Sequence, residues 1–330
     1  MVSILIVNYR CWEKLSACLD SLLTEHPDTL ATEIIVVDNQ SNDGKMVAFS
    51  QRYPTVRFIE NAGNLGFANG CNLAANHATG EVLLFLNPDT LVTPGQLSKL
   101  LSSKKELPQV GLLSCRQLDG KGRNQRAFGY FDNLWTTFGL TRAIAQRLFP
   151  EKYPSPRADL KEITECDWIS GSVVMVERHH YDLLGGWDDS FWMYCEDVDL
   201  CKRAWQNHLK VAYNPNVAIT HLHGGASRSS SETKALTKSE VIISKHNFVR
   251  KHSPSWLSSL PGHSLVLITR TLPVLLAGLL TAIGLVAGKK TTAVRKSKHL
   301  LSYYALWIKT GDSRSPRARY KRLNQGINNP

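Results

Sequence analysis

The chain has 330 residues, 43% of them hydrophobic and 20% charged, which allows one large domain with a smaller appendage and excludes global disorder. The formal net charge is +11, yet residues 289–330 hold eleven Lys or Arg against one Asp, a local +10 that leaves +1 for the first 288 residues. This distribution argues against a main body that grips nucleic acid and implies a tail that meets an anionic surface. The seven cysteines (Cys11, Cys18, Cys71, Cys115, Cys166, Cys195, Cys201) are scattered and show no Cys-x-x-Cys spacing, so reduced thiols in the cytosol are expected. The apolar run Ile4–Val7 is too short for a signal-peptide core and has no basic segment ahead of it; a buried parallel strand is expected instead.

Short apolar runs alternate with helix-length stretches through the first ninety residues: Ser3–Val7, Glu13–Leu23, Glu33–Val37, Gly70–His77 and Glu81–Leu86. This is the rhythm of β-α-β units. Ligands of open α/β sheets bind beyond the carboxyl ends of the strands, which singles out Asn8-Tyr9-Arg10, Asp38-Asn39 and Asn87-Pro88-Asp89. Asp38 can accept hydrogen bonds from a base or ribose, or can cap a turn with the polar Asn39–Gly44 stretch behind it. Asp89 can supply an oxygen ligand to Mg2+ or Mn2+, which would stabilise a departing pyrophosphate.

The rhythm lapses over residues 102–160, where Asp119-Gly120 reads as a hairpin turn and Pro150, Pro154 and Pro156 mark an irregular connection; a variable, substrate-facing region is expected. A strand over Ser172–Val176 leads through Gly185-Gly186 to a helix from Glu196 to about His208, followed by strand-like segments Val211–Tyr213 and Val217–Thr220. Glu196, Asp197 and Asp199 crowd the start of that helix, where the macrodipole favours acids. The glycine turn, Asp188, Asp189 and the aromatic residues Trp187, Phe191, Trp192 and Tyr194 just upstream point further, to rings against a sugar and a carboxylate that takes a proton from an acceptor hydroxyl. His221 and His223 follow the last strand beside Gly224-Gly225 and are candidate ligands.

From Leu265 to Gly288 the chain is apolar apart from Arg270 and a few threonines, and Thr271–Gly288 is uncharged. Such a helix reaches about 27 Å, slightly short of a bilayer core. Small residues at Gly278, Thr281, Gly284 and Gly288 fit helix–helix packing equally well.

Taken together, Ser3–Tyr9, Val36–Asn39, Asn64–Asn72, Leu86–Asp89 and Gly185–Arg203 resemble glycosyltransferase family 2, and within it the rhamnosyltransferase-like members that build bacterial surface polysaccharides such as O-antigen, lipopolysaccharide and cell wall. The resemblance covers roughly residues 2–230. It implies an α/β fold of GT-A type with a mostly parallel central sheet: a catalytic domain over 1–230, with a nucleotide-binding half (1–100) and an acceptor-binding half (101–230), then a helical, basic, membrane-associating extension over 231–330. It further implies an inverting transfer of a sugar, rhamnose before galactofuranose, from a dTDP- or UDP-sugar to a saccharide or polyprenyl-diphosphate-linked acceptor at the cytoplasmic face of the inner membrane.

Carried over residue by residue, Asp197 resembles the catalytic base. Asp89 and His221, with His223 as the alternative to the latter, resemble the metal site. Asn8, Tyr9, Arg10, Asp38, Asn39, Gly66, Asn72 and Asn87 fall at the donor, and Trp187, Asp188, Asp189 and Glu196 at the acceptor. Asn87 departs from the family's Asp-x-Asp by losing a negative charge, a form familiar in the rhamnosyltransferase-like subgroup. Two other classes are weighed against this. A nucleotidyltransferase would carry a glycine-rich basic loop after its first strand, where Asn8–Trp12 stands. A nucleic-acid or scaffold protein would leave the acids at the strand ends repelling phosphate.

Overall fold

The computed structural model describes residues 1–24, 31–133, 135–156, 158–222, 230–283 and 290–318. The chain divides into two compact units. The first is made of Met1–Ala62, Gly70–Trp187 and Asp197–His223. It opens with β1 (Val2–Asn8), α1 (Trp12–Leu23), β2 (Thr32–Asp38), α2 (Lys45–Arg52), β3 (Val56–Glu60), α3 (Phe67–His77) and β4 (Val82–Leu86). Helix α1 turns Leu15, Cys18, Leu19 and Leu22 inward, the i, i+3, i+4, i+7 spacing of a helix with one apolar face. Every residue of β1 is buried, as the unbroken apolar run requires.

Next come β5 (Thr90–Leu91), α4 (Gln96–Glu106), β6 (Val110–Leu118), β7 (Phe128–Gly129), α5 (Gly139–Leu148), β8 (Thr164–Glu165), β9 (Trp168–Ile169), β10 (Val173–Glu177), α6 (Arg178–Leu183), α7 (Glu196–Gln206) and β11 (Lys210–His221). Nine strands form one mixed sheet in the order β3-β2-β1-β4-β10-β6-β11-β5, with β8 on β11. Strands β3, β2, β1 and β4 run parallel, so the residues that follow β1, β2 and β4 emerge at one edge. Strand β10 is antiparallel to both β4 and β6, and β6 is parallel to β11.

Two sequence expectations change here and a third holds. The stretch expected to be irregular over 102–160 contains β6, a strand inside the sheet; Gly111, Ser114 and Gln117 break its apolar run, and Gly111 is there because a Cβ would lie 2.7 Å from Leu209 Cβ. The two segments expected over Val211–Tyr213 and Val217–Thr220 are one strand, with a register shift between Asn214 and Ala218. The turn at Asp119 is present: Asp119 N–H donates to Arg123 O, and its carboxylate accepts from the N–H groups of Lys121 and Arg123.

The second unit comprises Gly63–Asn69, Asp188–Glu196 and Gly224–Pro330. Helix α8 (Ser231–Lys251) starts at Ser230, whose hydroxyl accepts from Thr233 N–H at 3.0 Å. Helix α9 (Trp256–Val266) starts on a reciprocal Ser255–Ser258 capping box. It continues through one π-helical turn (Leu267–Thr271) into α10 (Leu272–Ala282), and α11 (Lys290–Thr310) follows. The wide turn lies directly before Pro273, which lacks the N–H that an α-helical ladder needs. A core of Ile242, Ile243, Val266, Leu300 and Tyr303 joins these helices. The apolar helix thus begins at Trp256, earlier than the sequence reading places it. Gly278 and Thr281 face a neighbouring helix as the packing alternative requires, whereas Gly284 and Gly288 lie outside the described residues.

Candidate active site

Parallel pairing brings the ends of β1, β2 and β4 together, with Asn8 opposite Asp38 and Ile6 opposite Leu86. Asp38 is buried, and its carboxylate accepts from Asn8 Nδ2 (2.8 Å), Ser41 N–H (2.8 Å) and Ser41 Oγ (2.6 Å). Of the two readings of Asp38, turn capping is the one built. Asn8 is equally committed, its Oδ1 accepting from Cys11 N–H, and Asn39 Oδ1 accepts from Asn61 Nδ2. These three residues therefore shape the loops at the sheet edge. Arg10 remains exposed; its N–H donates to Ser41 Oγ and its guanidinium lies 5.3 Å from the Tyr9 ring centre. Arg10, Gln40 and Asn42 all hold positive φ, so both loops carry the uncommon backbone that often accompanies binding sites.

A second group forms where β11 ends. His221 pairs with Thr90 across β5, and Leu222 N–H donates to Asp89 O, so residues 132 positions apart meet. Asp89 Oδ1 lies 3.1 Å from His221 Nε2, and Asn87 Nδ2 lies 3.4 Å from the same nitrogen. On the other side, His221 Nδ1 is 3.0 Å from Gln117 Oε1, which also accepts from Ser172 Oγ at 2.8 Å. Gln117 Oε1 faces Nδ1 and Nε2 turns toward the Asp89 carboxylate; in the tautomer protonated at Nδ1, the lone pair of Nε2 faces that carboxylate. Two electron-rich atoms held so close fit a cation between them. Asp89 and His221 make a donor pair of carboxylate and imidazole that suits Mn2+ or Mg2+, with the Asn87 amide beside it turning its Nδ2 toward the imidazole.

Asp197 opens α7 and is held by backbone groups: Oδ2 accepts from Gly171 N–H at 3.0 Å and Oδ1 from Val198 N–H at 2.9 Å. Burial raises its pKa, and those N–H groups offset only part of the effect. The segment Ser170-Gly171-Ser172 links the two groups. Gly171 holds Asp197, Ser172 O accepts from Asn87 N–H at 2.9 Å, and Ser172 Oγ reaches Gln117. Neither Gln117 nor this segment stood out in the sequence; the only available signal was a pair of polar residues inside otherwise apolar strands.

Other expected site residues have structural duties. Trp187 is buried and packs edge-on against Phe85 at 5.2 Å, and Phe191 and Trp192 are also buried, so these rings do not face an acceptor. Asn72, expected at the donor, spends its amide on Trp187 N–H, Trp187 O and Tyr181 OH. In the second unit, Gly66 has φ +95° and a Cβ there would lie 2.2 Å from Trp192 O, which explains the glycine by close backbone approach. Asp188 pairs with Lys251 at 2.5 Å, Asp189 is half-buried, and Glu196 is buried. His223 lies outside the described residues. Elsewhere, Glu177, His179 and His180 cluster at the end of β10, where Glu177 also pairs with buried Lys104 at 3.2 Å.

Residues 3–157 match the model of glycosyl transferase family 2. The chain is 28% identical over 270 residues to N-acetylglucosaminyl-diphospho-decaprenol L-rhamnosyltransferase of Mycobacterium tuberculosis, covering 73% of this chain and 80% of that one. It is 25% identical over 232 residues to rhamnosyltransferase WbbL of Escherichia coli, covering 67% and 83%. Among solved structures, the mannosyltransferase PcManGT of Pyrobaculum calidifontis, in complex with GDP-Man and Mn2+, superposes with a TM-score of 0.55 at 15% identity over 98% of this chain and 84% of that one. GalNAc-T7, solved with UDP, GalNAc and Mn2+, gives 0.53 at 16% identity over 80% of this chain, which spans 54% of that protein's length. The fold is thus of GT-A type, and with residues 3–157 matching the family 2 model and relatives that are glycosyltransferases, the chain is a glycosyltransferase.

Proposed function

We propose that the chain transfers a sugar, rhamnose in the first instance, from a dTDP- or UDP-sugar to a saccharide or polyprenyl-diphosphate-linked acceptor, inverting the anomeric centre in a single displacement. Its place would be the cytoplasmic face of the inner membrane. The observation that carries this reading is the facing pair Asp89 Oδ1 and His221 Nε2, 3.1 Å apart, joined through Gln117, Ser172 and Gly171 to Asp197. The similarity to two rhamnosyltransferases supports the choice of sugar.

Asp89 and His221 would hold Mg2+ or Mn2+, and Asn87 would add a neutral third donor only after its amide turns over to present the oxygen in place of Nδ2; when bound, the cation supplies charge neutralisation to the departing nucleoside diphosphate. Asp197 takes the proton of the acceptor hydroxyl at its carboxylate, which two backbone N–H groups keep oriented. Its raised pKa makes it a stronger base than an exposed aspartate, and activity should fall on the acid side above the ordinary carboxylate range. Arg10, exposed beside Tyr9 with its Nε donating to Ser41 O at 3.0 Å, would meet donor phosphates through the rest of its guanidinium.

The test incubates the purified chain with a panel of sugar nucleotides and divalent cations and measures nucleoside-diphosphate release with and without a lipid-linked acceptor. Release should need both acceptor and cation. Asp197→Asn should lower transfer by about 100-fold or more with donor affinity retained; equal turnover in that variant would remove Asp197 from the role of base.

A further inference from the structure

We propose that the helix Trp256–Ala282 docks on an anionic lipid surface by lying in the plane of one leaflet, its outward apolar face among the acyl chains, and does not cross the bilayer. The proposal deepens the membrane placement given above and is independent of the donor sugar.

The helix is built inside out. It is 27 residues long, and only 22% of its most apolar stretch is buried. Ser259, His263, Thr271, Gly278 and Thr281, all polar or small, face the protein, with Val266 the one large aliphatic residue among them. Ile268, Leu272, Leu276, Leu279 and Ile283 face outward, each more than half exposed. A helix in contact with water keeps the opposite polarity; large aliphatic residues outward and small or polar ones toward neighbouring helices are the pattern of a lipid-facing element. The single π-helical turn maintains the pattern, since it carries Thr271 back to the inward side after His263.

The inward groups are matched by partners on α8 and α11. His263 Nδ1 lies 3.0 Å from His246 Nδ1, Thr271 Oγ1 lies 2.7 Å from Tyr304 OH, and that hydroxyl lies 2.7 Å from His246 Nε2. Gly278 admits Ser297, whose Oγ donates to Val274 O at 3.1 Å. Helix α8 is fastened in turn to the Asp188–Glu196 segment, through Ser244 Oγ to Met193 O and Lys251 to Asp188.

Lipid is the occupant because of charge. Between Glu240 and Asp312 there is no Asp or Glu, while ten Lys or Arg are present. Such a stretch is drawn to anionic headgroups, and the aliphatic face then enters the acyl boundary. Crossing is opposed by two features. Exposed Arg270 stands at the middle of the helix, where a span would hold it at the bilayer centre; in the plane it reaches the headgroups. A span would also drag in α8, which carries Lys234, Lys238, Lys245 and Arg250.

The test uses the full chain and vesicles of phosphatidylcholine with or without phosphatidylglycerol. The chain should float with the anionic vesicles, and Leu272→Glu with Leu276→Glu should reduce flotation about tenfold or more, with nucleoside-diphosphate release to a soluble acceptor unchanged. In parallel, Ile268→Cys, Leu276→Cys and Ile283→Cys are each labelled with an environment-sensitive dye and quenched by lipids spin-labelled at shallow or deep positions, the parent chain's own labelling being subtracted. Equal, shallow quenching at all three sites supports the proposal. Deepest quenching at Ile268 would mean a span, and a parent chain that stays unbound would exclude bilayer docking; either overturns it. Flotation without sugar-nucleotide turnover would leave the docking intact and overturn the proposed enzymology instead.

Discussion

At the scale of single residues, identity predicts less than hydrogen-bond commitment. Asp38, Asn8 and Asn72 occupy the positions expected of donor-binding groups, and each is satisfied inside the protein. A buried polar atom without a partner costs about 1–3 kcal/mol, so side chains at crowded strand ends are drawn into caps and loop ties. Gln117 shows the converse, a residue silent in the sequence that orients His221. Gln117→Leu should weaken Mn2+ binding by about 10–100-fold, whereas Gln117→Glu, which retains the acceptor, should bind Mn2+ near the parental level. Titration of free Mn2+ by electron paramagnetic resonance reads both without reference to turnover, and a parental affinity for Gln117→Leu would remove it as the positioning residue.

At the scale of elements, helices α10 and α11 meet at one glycine. A Cβ on Gly278 would stand 2.0 Å from Ser297 Oγ and 2.9 Å from Ser297 Cβ, so Gly278→Val should destabilise the helical unit by about 1–3 kcal/mol; thermal unfolding checks this, and Ser297→Gly should recover part of the loss. Helix α8 carries Glu240, which burial pushes up to about 7 despite the hydroxyl of Ser315 and the charge of Arg317. Its folded value exceeds the ordinary glutamate value of 4.5, so its stabilisation is fully present below that value and is lost as pH rises to about 7. Gly311–Ala318 should exchange amide hydrogens faster at pH 8 than at pH 5, after correction for intrinsic rates. Glu240→Gln should abolish the difference.

Elements were legible to the extent that their pattern was regular. The strands β1, β2 and β4 read directly because burial on both faces demands continuous apolar runs. Strand β6 did not, because Gly111 answers to packing against Leu209 and Gln117 to hydrogen bonding with Ser172 and His221, partners that no local window contains. The aromatic cluster before α7 misled for a related reason: rings read as a sugar platform are core residues in Trp187, Phe191 and Trp192.

At the scale of the whole molecule, charge and apolar surface are divided unequally along the chain. A formal +10 over residues 289–330 and an outward aliphatic face on Trp256–Ala282 should give vesicle binding in two parts. Raising salt to about 1 M shortens the Debye length to about 3 Å, so the electrostatic part should fall while the apolar part persists. Flotation across a salt series should therefore reach a plateau above zero; complete loss would mean that the aliphatic face contributes nothing.

What the amino-acid order determined alone was the β-α-β rhythm, the sheet edge at which the polar strand ends gather, the family likeness and the placement of basic charge. Each follows from neighbours within a few positions, or from composition. Only the tertiary structure decided that Asp89 meets His221 across β5 and β11, that Gln117 holds the other side of the imidazole, and that the apolar helix turns most of its polar side chains inward. Those are matters of which side chain spends its hydrogen bonds on which distant partner, and chain order does not carry that information until the strands and helices have closed on one another.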